Sequence, residues 1–188
     1  ERCALRHGNV HSADGWRDVL DPVIARYEGR DLGGRFFRAD AAYAIPAIYE
    51  RLEGAGYFYA IRLPANTVLR EKIAHRLTRP VGRPSQTKVK RFFEDFEYQA
   101  ASWDKPRRVV AKIEWHPDEL FPRVGFIVTN LPIDTDWVVR FYNQRGTAEQ
   151  HPFGTLLRNA LSGSDQGRQA CLPLDAAVMP EVPRQRGA

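Results

Sequence analysis

Sulfur is scarce in this chain of 188 residues, with two cysteines, Cys3 and Cys171, and one methionine, Met179. Two isolated cysteines cannot build a disulfide scaffold or a cysteine zinc site. A cysteine nucleophile would need a base partner that neither position supplies. A reducing, cytoplasmic setting is therefore the default. Long apolar runs are missing too: none approaches the roughly 20 residues that span a bilayer, so no membrane role is expected. No charged-then-apolar leader is read at the start, and there are no repeats or low-complexity tracts. A chain that opens on Glu1 and keeps its one methionine at position 179 reads as a piece, or as a processed or mispredicted product.

What is present fits a globular domain. Hydrophobic residues make up 43% and charged residues 27%. Four Trp, seven Tyr and ten Phe are too many to leave in water. The 28 Lys and Arg outnumber the 23 Asp and Glu, for a net charge of +5. Residues 78–112 hold nine of the cations and only four of the acids, an excess equal to that of the whole chain. A local basic excess points to a polyanion, and nucleic acid is the common one; an ordinary basic surface loop is the competing explanation.

Periodicity divides the chain. Residues 1–77 alternate strand and helix, an α/β pattern. Ser12 or Asp14 is expected to cap a helix running to Tyr27, shortened or kinked at Pro22. Arg35–Ala39 reads as a strand, Pro46 opens a helix, and Tyr57–Leu63 reads as a buried strand. Asn66 caps a helix to Leu77 that carries Val68, Leu69, Ile73 and Leu77. Thr78–Arg91 is an exposed loop. Three β-like stretches follow, at Arg91–Ala101, Arg107–His116 and Arg123–Asn130, joined by turns containing Pro106, Pro117 and Pro122. They read as a small antiparallel segment. Asp134 caps a helix to about Gln150 bearing Trp137, Val138, Phe141 and Tyr142. From His151 onward there is no period.

Two acids stand out by position. Asp40 lies just past the C-terminal end of a strand, the edge at which open α/β sheets bind ligands. Val138, Tyr142, Arg145 and Glu149 share one helix face. On spacing alone, a turn residue is the simpler reading of Asp40 and an ordinary ion pair that of Arg145–Glu149. His7 and His11 stand four apart, but Gly8 and Asn9 make that a loop rather than a zinc-binding helix face. Arg79 to Pro84 contains a Gly-Arg-Pro core able to enter a minor groove, although a solvated loop is the simpler reading. Lys88, Lys90 and Arg91 are candidates for phosphate contact. Trp103 and Trp115 read as core or turn packing rather than base-stacking residues.

Three separated segments, Phe37–Ala44, Tyr59–Asn66 and Phe141–Gln150, resemble, in order, the DDE domain of bacterial insertion-sequence transposases. Val109–His116 and Val124–Asn130 also look familial. The resemblance covers residues 1–150, and the Tyr142-x2-Arg145-x3-Glu149 spacing matches a signature of a wider group of these enzymes. It implies a ribonuclease H-like α/β core, here incomplete at the N-terminus, with a β-rich basic insertion at about 78–130; residues 151–188 read as an irregular tail. It further implies DNA as substrate and two Mg²⁺ or Mn²⁺ ions held by three carboxylates. Asp40 matches the second Asp and Glu149 the Glu; Tyr142 and Arg145 match residues that contact DNA phosphate. Action as a dimer in a synaptic assembly is implied as well, as is a nucleoid-associated location in a bacterial cytoplasm.

The match departs from the family in three places. No first Asp is found, and Asp14, Asp18 and Asp21 are poor substitutes for it. Leu156 stands where the pattern has Lys. The tail lacks the expected helix, as a frameshift near codon 150 would produce. These departures predict no strand transfer by the 188 residues alone. The competing functions are a noncatalytic DNA-binding module and a different ribonuclease H-like nuclease.

Overall fold

The computed structural model describes residues 10–79, 82, 87–117 and 119–144, together with the backbone of 3–4 and 170–171. Five strands form one mixed sheet: β2 (Phe36–Ala39), β3 (Phe58–Leu63), β4 (Lys90–Tyr98), β5 (Arg107–Trp115) and β6 (Arg123–Thr129). Their order is β2-β3-β6-β5-β4, with β2 and β3 parallel and every other neighbour antiparallel. The β4–β6 segment is thus not a separate sheet. It is hydrogen-bonded to the α/β part through Leu63↔Phe126 and the pairs that follow. A separate two-residue ladder pairs β1 (Cys3–Ala4) with β7 (Ala170–Cys171), with Cys3 opposite Cys171 in register.

Helices cover both faces. On one face, α1 (Trp16–Tyr27), α2 (Pro46–Gly54) and α3 (Thr67–Lys72) bury Leu20, Ile24, Tyr49, Leu52 and Leu69 against Tyr59, Ile61, Val109 and Ile113. On the other, α5 (Thr135–Asn143) places Val138, Val139 and Phe141 over Ala60, Val110 and Ile127. Coverage on both sides explains why β3 and β5 read as almost continuous apolar runs. Trp103 and Trp115 are both buried, as core packing requires. Among the described residues no helix is long and apolar enough to cross a membrane.

Several local expectations are corrected. The cap of α1 is neither Ser12 nor Asp14 but Gly15, in the left-handed conformation at φ 60° that glycine adopts without strain. Pro22 does not end α1. It sits on the exposed side, as does Asp18, whose carbonyl loses the helical N–H that a residue other than proline would offer. Asn66 does cap α3, its Oδ1 accepting from Leu69 N–H at 2.8 Å. The helix then breaks at Ile73, and α4 (Ala74–Leu77) docks on β4 through His75 and Arg76, which both reach Glu94. Leu69 and Ile73, four apart, are fully buried, whereas Val68 is half exposed. Trp137 likewise lies outside the buried stripe of α5, with the Arg140 guanidinium 5.1 Å from its ring centroid. Asp134 occupies the cap position of α5 without a capping hydrogen bond from its side chain.

Candidate functional site

Asp40 follows Ala39 directly and continues the extended backbone of β2. Its Oδ1 accepts from Ala42 N–H at 3.0 Å, capping the short 3-10 turn Ala41–Tyr43. Because Ala39 pairs with Ile61, Asp40 stands level with Arg62 on the neighbouring parallel strand. Strand alternation then fixes the face. Phe36, two positions before Arg38 and four before Asp40, belongs to the core beneath α5, as do Phe58 and Ala60 on the strand of Arg62. Asp40 and Arg62 therefore share the α5 side of the sheet.

Both residues line a cleft of about 440 Å³ at the C-terminal ends of β2 and β3, continued by Pro64, Ala65 and Val124–Phe126. Gly125 contributes open floor, since a Cβ there would meet nothing within 4 Å.

Two arginines lead α5 across the sheet toward this end. Arg108 Nη1 donates to the carbonyls of Leu131 and Ile133, each at 2.8 Å, and so fixes the approach to the helix over β5. Arg38 Nη1 donates to the Phe141 carbonyl at 2.8 Å, and its guanidinium lies 4.8 Å from the Phe141 ring centroid. The last full turn of α5 is thereby held over β2, two residues from Asp40. Tyr142 is half-buried against the core beneath α5. Arg145 and Glu149 lie outside the described residues.

The other candidates are dispersed. Arg79, Lys88, Lys90 and Arg91 are exposed, and Arg83 lies outside the described residues. Arg91 donates to Glu114 at 2.9 Å, and the Lys90 ammonium stands 5.4 Å from the Phe92 ring centroid. His11 Nδ1 accepts from Ala13 N–H at 3.2 Å in a local turn, and His7 is outside the described residues. Among the described residues no three His, Cys, Asp or Glu side chains come together to hold a metal. A carboxylate such as that of Asp40 is the hard oxygen donor that a divalent ion of the Mg²⁺ type prefers, and alone it would supply one ligand rather than a complete site.

Sequence reasoning overlooks Arg38, Arg62 and a second polar cluster at the opposite end of the sheet. Alternation with Asp40 is the available signal for Arg38. In the second cluster Arg107, only 4% exposed, donates to both oxygens of Glu53 at 2.9 and 3.2 Å. Tyr59 hydroxyl and Lys105 also reach Glu53, at 2.8 and 2.9 Å. Burial would raise the Glu53 carboxyl, but the hydrogen bonds from Arg107, Lys105 and Tyr59 outweigh it and bring it down to about 2. Desolvation, and the hydrogen bond to Glu53, push the Tyr59 hydroxyl up. With its oxygens engaged by three donors, Glu53 pins α2 to β5 and is structural. The adjacent Arg107 and Arg108 thus point to opposite faces of β5 and do unrelated work.

The sequence profile described as transposase DDE domain group 1 matches residues 1–152, four-fifths of the chain and all of the described residues except 170–171. No curated protein and no solved structure matches. The mixed five-stranded sheet with helices on both faces agrees with the ribonuclease H-like α/β fold that such a domain implies. This chain belongs to the DDE transposases, group 1.

Proposed function

We propose that the chain takes part in cleaving and joining DNA element ends by phosphoryl transfer, with Asp40 and Glu149 as carboxylates for Mg²⁺ or Mn²⁺. One observation carries this reading. Asp40 opens into the cleft at the strand ends, on the same sheet face that α5 crosses before the chain runs on to Glu149. Such ions, when bound, activate a water or 3′-hydroxyl and stabilise the leaving oxygen of an in-line displacement. The chain's own part is placement. The Ala42 N–H orients Asp40, and the Arg38 clasp fixes α5 relative to it. Tyr142 and Arg145 would hold the phosphate beside the cut, and Arg79, Arg83 and Lys88 the backbone further along, while Lys90 and Arg91 are engaged with Phe92 and Glu114. Joining two ends calls for two copies of the chain, which act on DNA in the bacterial nucleoid.

Two carboxylates fall short of the three that hold the ion pair, so these 188 residues by themselves bind metal and DNA without strand transfer; Mg²⁺-dependent cleavage by the purified chain would overturn that part. Titration with Mn²⁺, read by electron paramagnetic resonance, tests the site itself. Asp40→Ala and Glu149→Ala should each weaken binding at least tenfold, and equal binding by all three proteins rejects the assignment. The basic excess favours a second reading, a noncatalytic DNA-binding module. Salt-dependent DNA binding with no Mn²⁺ binding would select it.

A further inference from the structure

The positive charge is more concentrated than residues 78–112 suggest. Between Arg62 and Arg91 there are nine Lys and Arg and one acid, Glu71. Removing them from the totals of 28 and 23 leaves 19 cations against 22 acids, so this stretch supplies more than the entire net charge. The structure shows where it lies. The chain leaves the cleft at Pro64 and Ala65, runs through α3 and α4, and returns to the sheet at the start of β4.

Within it the described cations divide into two groups. Arg76 reaches Glu94, and Arg91 reaches Glu114. The Lys72 and Lys90 ammonium groups lie 5.5 and 5.4 Å from the ring centroids of Phe96 and Phe92. These contacts fasten the segment to β4 and its neighbours. Arg62, Arg70 and Arg79 are exposed and pair with no carboxylate among the described residues. Exposed guanidinium groups without a carboxylate partner among the described residues suit a partner that brings its own regular negative charge. Thr67–Leu77 spans up to about 16 Å at ~1.5 Å per residue, the rise of about five base pairs.

We infer that the end of β3 and the segment from α3 through α4 to Arg79 form a ridge along the sheet edge that takes the phosphate backbone of duplex DNA, with Arg62 on the α5 side of that edge and Arg70 and Arg79 beyond it. This rests on the proposed DNA chemistry at Asp40 and adds the path by which the duplex leaves that cleft. A bidentate Arg–phosphate contact needs no particular base, so the ridge binds any sequence. Its role is to hold flanking duplex in line with the cleft.

Equilibrium binding of the 188-residue chain to a fluorescent duplex of about 40 base pairs, from about 50 to 200 mM salt, tests the ridge. Arg62→Ala/Arg70→Ala should bind at least tenfold more weakly, and its log–log salt slope should fall by about two, one for each phosphate no longer neutralised. Arg62→Lys/Arg70→Lys should recover most of the slope. Arg26→Ala/Arg30→Ala removes the same charge from the end of α1 and the turn before β2, at the other end of the sheet, and should leave the slope unchanged. Equal weakening by the two alanine pairs, or none by the Arg62/Arg70 pair while the unaltered chain binds, overturns the ridge and leaves the reading of Asp40 and Glu149 standing. No binding by the unaltered chain at low salt overturns the DNA reading as well. Preference for duplex RNA overturns the choice of partner.

Discussion

Arg38 and Phe141, 103 residues apart in sequence, are joined by a 2.8 Å hydrogen bond from the guanidinium Nη1 to the main-chain carbonyl, with the same guanidinium over the Phe141 ring. A hydrogen bond from a charged donor is worth about 1.5–3 kcal/mol. Arg38→Ala should lower stability by about that amount in chemical denaturation, with Arg38→Lys intermediate. The more specific expectation is faster amide exchange in Phe141–Gln144 than in β5. Unchanged exchange there would show that α5 is held by apolar packing alone.

Asp40 serves both as a cap and as a candidate metal ligand, and two substitutions separate the roles. Asn keeps an oxygen for the Ala42 N–H, whereas Ala does not. Asp40→Ala should cost about 0.5–2 kcal/mol of stability, and Asp40→Asn much less. Both should lose Mn²⁺ binding at least tenfold. Undiminished Mn²⁺ binding by the Asn variant would reduce Asp40 to a turn residue.

Asn66 caps α3 with its oxygen and donates Nδ2–H to the Tyr98 hydroxyl at 3.0 Å, tying the helix start to β4. Asn66→Ala should destabilise by about 1–2 kcal/mol. Asp retains the cap but not the donor to Tyr98, so Asn66→Asp should fall between the two in thermal denaturation. An Ala variant as stable as the unaltered protein would contradict this account.

The Glu53 carboxyl sits at about 2 in the folded protein against an ordinary value of 4.5. A carboxyl lowered by folding contributes stability that is complete above its unfolded value. That contribution is lost as pH falls through the window from about 4.5 to 2. Denaturation midpoints should drop across that window, and Glu53→Gln should flatten this part of the profile. At neutral pH the same substitution removes one of the two carboxylates on buried Arg107 and leaves Asp104 Oδ1 at 2.8 Å from Nη1, so the loss should stay below the about 3–5 kcal/mol of a buried charge left unpaired. An acid limb identical in the Gln variant would assign the pH dependence to other carboxyls.

Local chemistry is legible in the sequence and long-range partnership is not. The Asn66 cap, Pro46 at a helix start and the alternation of Val109, Ala111, Ile113 and Trp115 depend on residues a few positions apart, and they stand where periodicity puts them. So does Asp40 at a strand end. The joining of β6 to β3 depends on backbone groups more than 60 residues apart that carry no signature of their own. The break at Ile73 has a similar origin, because α4 is drawn to Glu94 on a strand still to come. Val68 lies beside the buried Leu69–Ile73 stripe and stays half exposed. Arg62 and Arg38 look like isolated cations in the sequence; only the parallel register and the face crossed by α5 set them beside Asp40.

The unbroken ladder from β2 to β4 acts as a gauge. Four strand-to-strand steps of about 4.8 Å set β4 roughly 19 Å from the strand of Asp40, close to the rise of six base pairs. Backbone hydrogen bonds fix that interval, and loop length does not. Lengthening the turn between β5 and β6 would therefore leave the spacing between Asp40 and β4 unchanged. Inserting a strand between β3 and β6 would move it by a step of about one and a half base pairs.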